Sequence, residues 1–194
     1  MTIAEDNALS DEALMVRIAG SDARAFEILV RRHQRPILNL IYRAIGNRVQ
    51  AEDVAQEVFL RIWRAAGNYE PQSKFTTWVY RITVNLCLDA LKEAQRNKPA
   101  VDLYAGAEAQ DENVDALDGC ERAPSPEELL IDAEGRGRIF AALHALPANQ
   151  RLAVVLAKFD GLSYDEIGRV LECSVPAVES LLVRAKKTLR KRLF

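Results

Sequence analysis

Ser163-Tyr164-Asp165-Glu166-Ile167-Gly168-Arg169-Val170-Leu171-Glu172-Cys173-Ser174-Val175-Pro176-Ala177-Val178-Glu179-Ser180-Leu181-Leu182-Val183-Arg184-Ala185-Lys186-Lys187 contains two helices and the turn between them. It opens on a capping box: the Ser163 hydroxyl can accept from the turn it starts, and the Glu166 carboxylate can reach back to it. Ile167, Val170 and Leu171 then recur at helical spacing and form a buried stripe. Glu172-Cys173-Ser174 interrupts the pattern, with Ser174 suited to an N-cap and Pro176 tolerated in the first turn that follows. Two short helices separated by so few residues have the spacing of a helix-turn-helix.

At about 100° per residue the second of these helices divides into two faces. Val178, Leu181, Leu182, Ala185 and Leu189 make the core side, while Glu179, Ser180, Val183, Arg184, Lys187, Arg190 and Lys191 point outward. Residues 175–194 hold six basic residues and one acid. Short polar groups early in a helix, with Lys and Arg further along, suit base edges and phosphates of a major groove. A solvated basic helix packed on its neighbours would show the same charge.

The helical period extends upstream. Residues 139–146 and 150–159 continue it in the C-terminal part; residues 11–30, 34–45, 51–65 and 74–94 carry it in the N-terminal part, with a break near Gly20-Ser21-Asp22. Pro36, Pro71 and Pro147 are expected at element boundaries. Strand-like alternation is scarce, so the expected fold is all-α: two small helical domains joined by a flexible acidic linker. The boundaries are 8–97, 98–133 and 134–194. The linker is read from composition: residues 99–134 hold one basic residue, Arg122, against 11 acids, with no sustained apolar period. It suits a solvated spacer or an anionic segment lying in a basic channel. Residues 1–98 are net +2 and residues 135–194 net +6, so the overall charge of -2 conceals two positive flanks.

In the helix over 74–94, Phe75, Val79, Ile82, Leu86 and Ala90 form the expected core face. Lys74, Arg81, Asn85, Lys92 and Arg96 lie roughly opposite, with Trp78 at the border and Tyr69 just upstream. Cations for a backbone, rings for stacking and an amide for a base edge are the ingredients of a grip on single-stranded nucleic acid. Trp63 and Phe75 read as core rather than as part of that grip, whereas Trp78 and Asn85 suit either role. Over 51–63, Val54, Val58 and Ile62 form a buried stripe, and Asp53, Gln56, Glu57 and Leu60 an exposed one that fits a protein partner better than DNA.

Other functions find little material. No run of 18 apolar residues suggests a membrane helix, and no basic-then-apolar start suggests a signal peptide. Cys87, Cys120 and Cys173 are far apart, with only His33 and His144 beside them, so no disulfide framework, metal site or cofactor is expected. Without a Gly-rich phosphate loop, an HExxH or a Ser/His/Asp set, neither an enzyme nor a small-molecule substrate is expected.

Taken in order, these segments resemble bacterial extracytoplasmic-function (ECF, group IV) sigma factors of the sigma-70 family. The segment Ala51–Trp63 is similar to region 2.2, Phe75–Asn85 to regions 2.3 and 2.4, and Leu146-Pro147 with Gly161–Ile167 and Arg184-Ala185-Lys186 to region 4. The resemblance implies a cytoplasmic initiation factor that binds core RNA polymerase at its clamp helices and flap. Asp53, Gln56, Glu57 and Leu60 would meet the polymerase. Asn68, Tyr69, Lys74, Phe75, Trp78, Arg81 and Asn85 would hold the -10 element, with a flipped base at the 68–75 loop. Glu179, Ser180, Val183, Arg184, Lys187 and Arg190 would face the -35 element. An anti-sigma factor, often anchored at the inner membrane face, is the further implied partner. Thr76 and Glu179 stand where the family commonly has basic residues, and Cys173 where an aliphatic one is usual. Glu179 could accept from a cytosine amino group or simply weaken the field at the phosphates. The competing interpretation is a stand-alone helix-turn-helix regulator on a palindromic operator.

Overall fold

The computed structural model describes residues 9–70, 74–96 and 126–194, without the side chains of 126–133. Residues 97–125, and with them most of the expected linker and Cys120, lie outside the described residues. Among those described the regular structure is helical: α1 (Asp11–Ala19), α2 (Ala23–Ile45), α3 (Arg48–Ala65), a 3-10 turn (Ala66–Asn68), α4 (Phe75–Arg96), α5 (Pro126–His144), α6 (Ala148–Lys158), α7 (Tyr164–Val170) and α8 (Val175–Leu193).

Local chemistry sets most of the boundaries. Ser10, Asp22 and Asn47 cap α1, α2 and α3, each side chain accepting from a backbone N–H of the turn it opens. The Arg17 guanidinium sits 2.7 Å from Asp22 and ties the end of α1 to the start of α2. Hydrogen bonds to that carboxylate, first from the Ala25 N–H and then from Arg17, hold its pKa below the usual value. The α2 helix ends on Gly46 at φ 86°, in the left-handed region.

Two expectations change. Pro36 lies inside α2, not at a boundary, and the segments read as 11–30 and 34–45 meet in one helix of 23 residues. The missing N–H and the ring's conflict with the preceding turn cost about 3 kcal/mol. Burial of Leu29 on one side of the proline and Ile37, Leu40, Ile41 and Ala44 on the other offsets it. The core of α4 is also rotated: Thr83, Val84 and Cys87 are buried, whereas Ile82 and Ala90 are only half-buried. This helix is covered on more than one side, by α2, α3 and, from the other domain, α7. A single-stripe pattern misses that. The Thr83 hydroxyl is satisfied by donating to the Val79 carbonyl at 2.8 Å, and burial pushes the Cys87 thiol up to about 12.

Helices α1–α4 pack as one unit and α5–α8 as another, and the two are docked together. At the seam, Tyr42 of α2 stacks on Phe140 of α5 with centroids 5.1 Å apart, and Arg43 lies 4.5 Å over the Phe159 ring. Arg151 of α6 is 8% exposed and donates across the seam to the Ala44 carbonyl at 2.6 Å. The same guanidinium bonds His144 Nδ1 at 2.7 Å and donates to the Leu146 carbonyl at 3.3 Å. Gly46 makes the approach possible, since a Cβ there would stand 2.7 Å from the His144 ring.

Two titratable groups at the seam pull in opposite directions. Burial, and then Arg151, push His144 down to about 4; burial lifts Asp160 to about 6 against the pull of Arg43. Tyr80 faces the same carboxylate and is raised to about 12 by burial and then by Asp160. Docked Asp160 thus holds its proton more tightly than an exposed carboxyl at 3.8, so it contributes stability at low pH that is lost as pH rises toward 6. Asp160→Asn removes the charge at every pH. It is expected to raise the melting temperature above pH 6, with the advantage over the wild type vanishing toward pH 4. Melts across that range check it. Acidification acts on neutral His144 in the reverse sense, weakening the docked state below about pH 6.5.

Candidate nucleic-acid and polymerase interfaces

The aromatic site of the N-terminal unit is built by four elements. Tyr69, just past the 3-10 turn, meets Trp78 edge-on with centroids 5.1 Å apart; Phe75 lies 5.8 Å from Trp78 and 6.3 Å from Tyr69. His33 of α2 backs Phe75 at 5.1 Å. Phe75 is 1% exposed, so its ring is packed beneath the cluster rather than presented, as the core interpretation expected. Trp78 is half-buried at the border between the two faces of α4. Burial, followed by the nearby carboxylates of Glu12 and Asp11, raises the Tyr69 phenol above its ordinary pKa. Pro71, Gln72 and Ser73, part of the loop expected at the flipped base, lie outside the described residues.

Sequence inspection missed the role of α1 here. The Glu12 carboxylate accepts from the Phe75 N–H at 3.2 Å and so caps α4 from another helix. Its neighbour Asp11 takes His33 at 2.8 Å and also holds Arg32. Asp11 is held below the normal carboxylate pKa by His33 and Arg32, which together outweigh a larger desolvation effect in the other direction. No spacing rule announces a cap supplied from 63 residues away.

Along α4, Lys74, Trp78, Arg81 and Asn85 fall on one stripe, within about 60° at the helical repeat. Lys74, Arg81 and Asn85 are exposed, and Lys92 and Arg96 prolong the stripe. The docked α7 and the turn after it meet its first half: Lys74 Nζ is 3.5 Å from Glu166 and Arg81 Nε 3.9 Å from Glu172. Glu166 is also the capping-box residue, accepting from the Ser163 N–H at 3.0 Å and from its hydroxyl at 2.8 Å. The backbone bond from Ser163 leads the causes that lower its pKa. Both ion pairs are exposed, and such pairs contribute about 1 kcal/mol or less.

On α3, Asp53, Gln56 and Leu60 are exposed on one face, and Glu57 beside them is paired with Arg61 at 2.9 Å. Val49, 71% exposed, extends this face by a turn and was missed. Its place in the series 49, 53, 56, 60 was the signal available.

The helix-turn-helix forms as expected, with the complete capping box at Ser163 and Glu166. Gly168 is needed at its closest point, because a Cβ there would lie 2.8 Å from the Cys173 carbonyl. Ser174 occupies the N-cap of α8 without a side-chain hydrogen bond. Val178 and Ala185 are buried, and Leu181, Leu182 and Leu189 half-buried; Glu179, Ser180, Val183, Arg184, Lys187 and Arg190 are all exposed. A positive helix with its polar early residues free, set on a helix-turn-helix scaffold, matches the major-groove arrangement.

Residues 29–97 match Sigma-70 region 2, and residues 136–189 match Sigma-70, region 4. The RNA polymerase sigma-H factor of Pseudomonas aeruginosa is 37% identical over 94% of this chain and 93% of its own. The chain belongs to the sigma-70 family, as an ECF sigma factor. The ECF RNA polymerase sigma-E factor of Escherichia coli is 32% identical over 95% of each chain. Among solved structures, CnrH in complex with the cytosolic domain of CnrY is similar with a TM-score of 0.64 and 25% identity, covering 93% of this chain and 95% of that one.

The chain is therefore a transcription initiation factor and not an enzyme, and its partners are core RNA polymerase and promoter DNA. The stand-alone regulator is the weaker account, because both matching family models and the similar curated proteins are those of sigma factors. Among the described residues no helix is long and apolar enough to cross a membrane, and no cluster of His, Cys, Asp or Glu can hold a metal ion.

Proposed function

We propose that region 2 of this sigma factor, taken as residues 8–97, captures the melted -10 strand on the stripe of Lys74, Trp78, Arg81 and Asn85. Tyr69 and Asn68 border it, and Phe75 supports the rings from below. The observation that carries this reading is the convergence of three aromatic rings with an exposed cation and amide row on α4. Cations track the backbone, a ring stacks on an unstacked base, and the Asn85 amide addresses its edge. Region 4, taken as 134–194, reads the -35 duplex through Glu179, Ser180, Val183, Arg184, Lys187 and Arg190. Residues 98–133 tether the two and raise their effective concentration on one promoter. Asp53, Gln56, Glu57 and Leu60, together with Val49, form the face for the polymerase clamp helices, and the flap receives region 4.

Promoter capture then requires the two regions to part, since Glu166 of α7 and Glu172 of the turn after it lie on Lys74 and Arg81. A protein that clasps both regions would keep that stripe covered. Solved structures of this fold hold sigma factors bound to anti-sigma factors, which supports such a partner here. Its place of action would be the cytoplasm, at the inner membrane face where the partner is anchored.

Asn85→Ala tests the stripe. Because Asn85 is exposed, its loss is expected to reduce promoter opening about tenfold or more while leaving polymerase binding within about twofold. Permanganate footprinting of the melted strand and a core-binding titration give the two readouts. Equal loss in both would contradict the assignment.

A further inference from the structure

The basic face of α8 contains one acid, and the structure gives that acid no partner. Glu179 is exposed. Three other carboxylates close to the interfaces are engaged: Glu57 with Arg61, Glu166 with Lys74 and Glu172 with Arg81. Glu179 has neither an ion pair nor a hydrogen bond among the described residues. Its helix neighbours three and four positions away are Val175, Pro176, Leu182 and Val183, none of which can neutralise it. The cations Arg184, Lys186 and Lys187 come further along the helix.

We infer that Glu179 selects a cytosine in the upstream promoter element, accepting a hydrogen bond from its N4 amino group in the major groove. The inference rests on α8 being the recognition helix. An unpaired carboxylate brought up to DNA is repelled by every phosphate, so its presence on this face needs a compensating donor. Major-groove donors are the amino groups of cytosine and adenine. Adenine sets its N7 acceptor beside the amino group, where a carboxylate finds repulsion, whereas the cytosine edge presents no acceptor there. Cytosine is therefore the base that Glu179 favours.

The neighbouring side chains make a consistent set. Val183 is 68% exposed on the same arc and offers an apolar contact to a thymine methyl. Arg184 lies five residues on, about 7.5 Å along the axis or roughly two base-pair steps, within reach of a guanine at a different position. A single uniform repulsion by Glu179 would not depend on the base beneath it. Base selection would.

Holoenzyme reconstituted from core polymerase and the full chain, given promoters randomised across the upstream element, distinguishes these outcomes by sequencing the transcripts. The wild type is expected to favour cytosine at one position by about five- to a hundredfold. Glu179→Gln should move that preference to adenine, whose N6 and N7 a glutamine amide can bond together. Glu179→Ala should bring the four bases at that position to within about threefold, with preferences elsewhere retained. A Glu179→Ala protein that initiates better on all sequences with its base preference intact would overturn the inference, as would no change at all. Wild-type initiation independent of the whole upstream element would instead sink the assignment of α8 to recognition.

Discussion

Arg151→Ala is expected to undock region 4 from region 2 and to lower the melting temperature of the whole chain. The side chain is 8% exposed, and its guanidinium serves the Ala44 carbonyl, the His144 imidazole and the Leu146 carbonyl together. Ala44 lies in the last turn of α2, where carbonyls lack helical partners and carry the negative end of the helix dipole. Truncation leaves these acceptors without their donor, at about 1–3 kcal/mol for each that stays buried. The seam should yield first, because the Tyr42–Phe140 stack, the Arg43–Phe159 cation–π contact and the exposed ion pairs that also cross it are worth about 1 kcal/mol apiece. Small-angle scattering should report a larger radius of gyration, and the melt should separate into two transitions.

Gly46→Ala approaches the same contact from region 2. Its Cβ would lie 2.7 Å from the His144 ring, at a backbone φ of 86° that an L side chain rarely adopts. It should therefore undock the regions without touching α6. Arg151→Lys keeps the charge but loses the planar fork, and should fall between wild type and alanine. An unchanged radius in both Arg151→Ala and Gly46→Ala would show that the seam is held by something else.

Phe75→Ala should cost about 3–5 kcal/mol of region 2 stability, the range for deleting a buried ring. Phe75 is 1% exposed and touches the rings of Tyr69, Trp78 and His33 from three sides. Its loss leaves a cavity at the point where Glu12 caps the helix, so the first turn of α4 should fray as well. Urea denaturation followed by tryptophan emission reads both effects, since Trp78 should become wetter and its emission move to the red. Phe75→Leu, which refills most of the volume, should recover more than half of the loss. A stability within about 1 kcal/mol of wild type would contradict the packing described.

The parts of the site legible in the sequence are those built within a few turns of chain. The capping box at Ser163 and Glu166 needs three residues, and the exposed arc from Glu179 to Arg190 needs only the helical repeat. The stripe from Lys74 to Asn85 was visible for the same reason. Pro36 misled because its local penalty is real but smaller than the apolar burial gathered along both halves of α2. The core face of α4 was off by about one residue because two domains cover it, and periodicity counts only one covering surface.

The sequence by itself determined that the chain is all-α, that a helix-turn-helix follows an aromatic and basic helix, and which side chains each presents outward. These properties follow from helix period, capping and charge, which act over a few residues. Only the tertiary structure decided that Glu12 caps α4, that Arg151 bonds the end of α2, and that Glu166 meets Lys74 across 92 residues. Such pairs arise when whole helices pack against one another, and the residues that make them carry no mark of it in their local sequence.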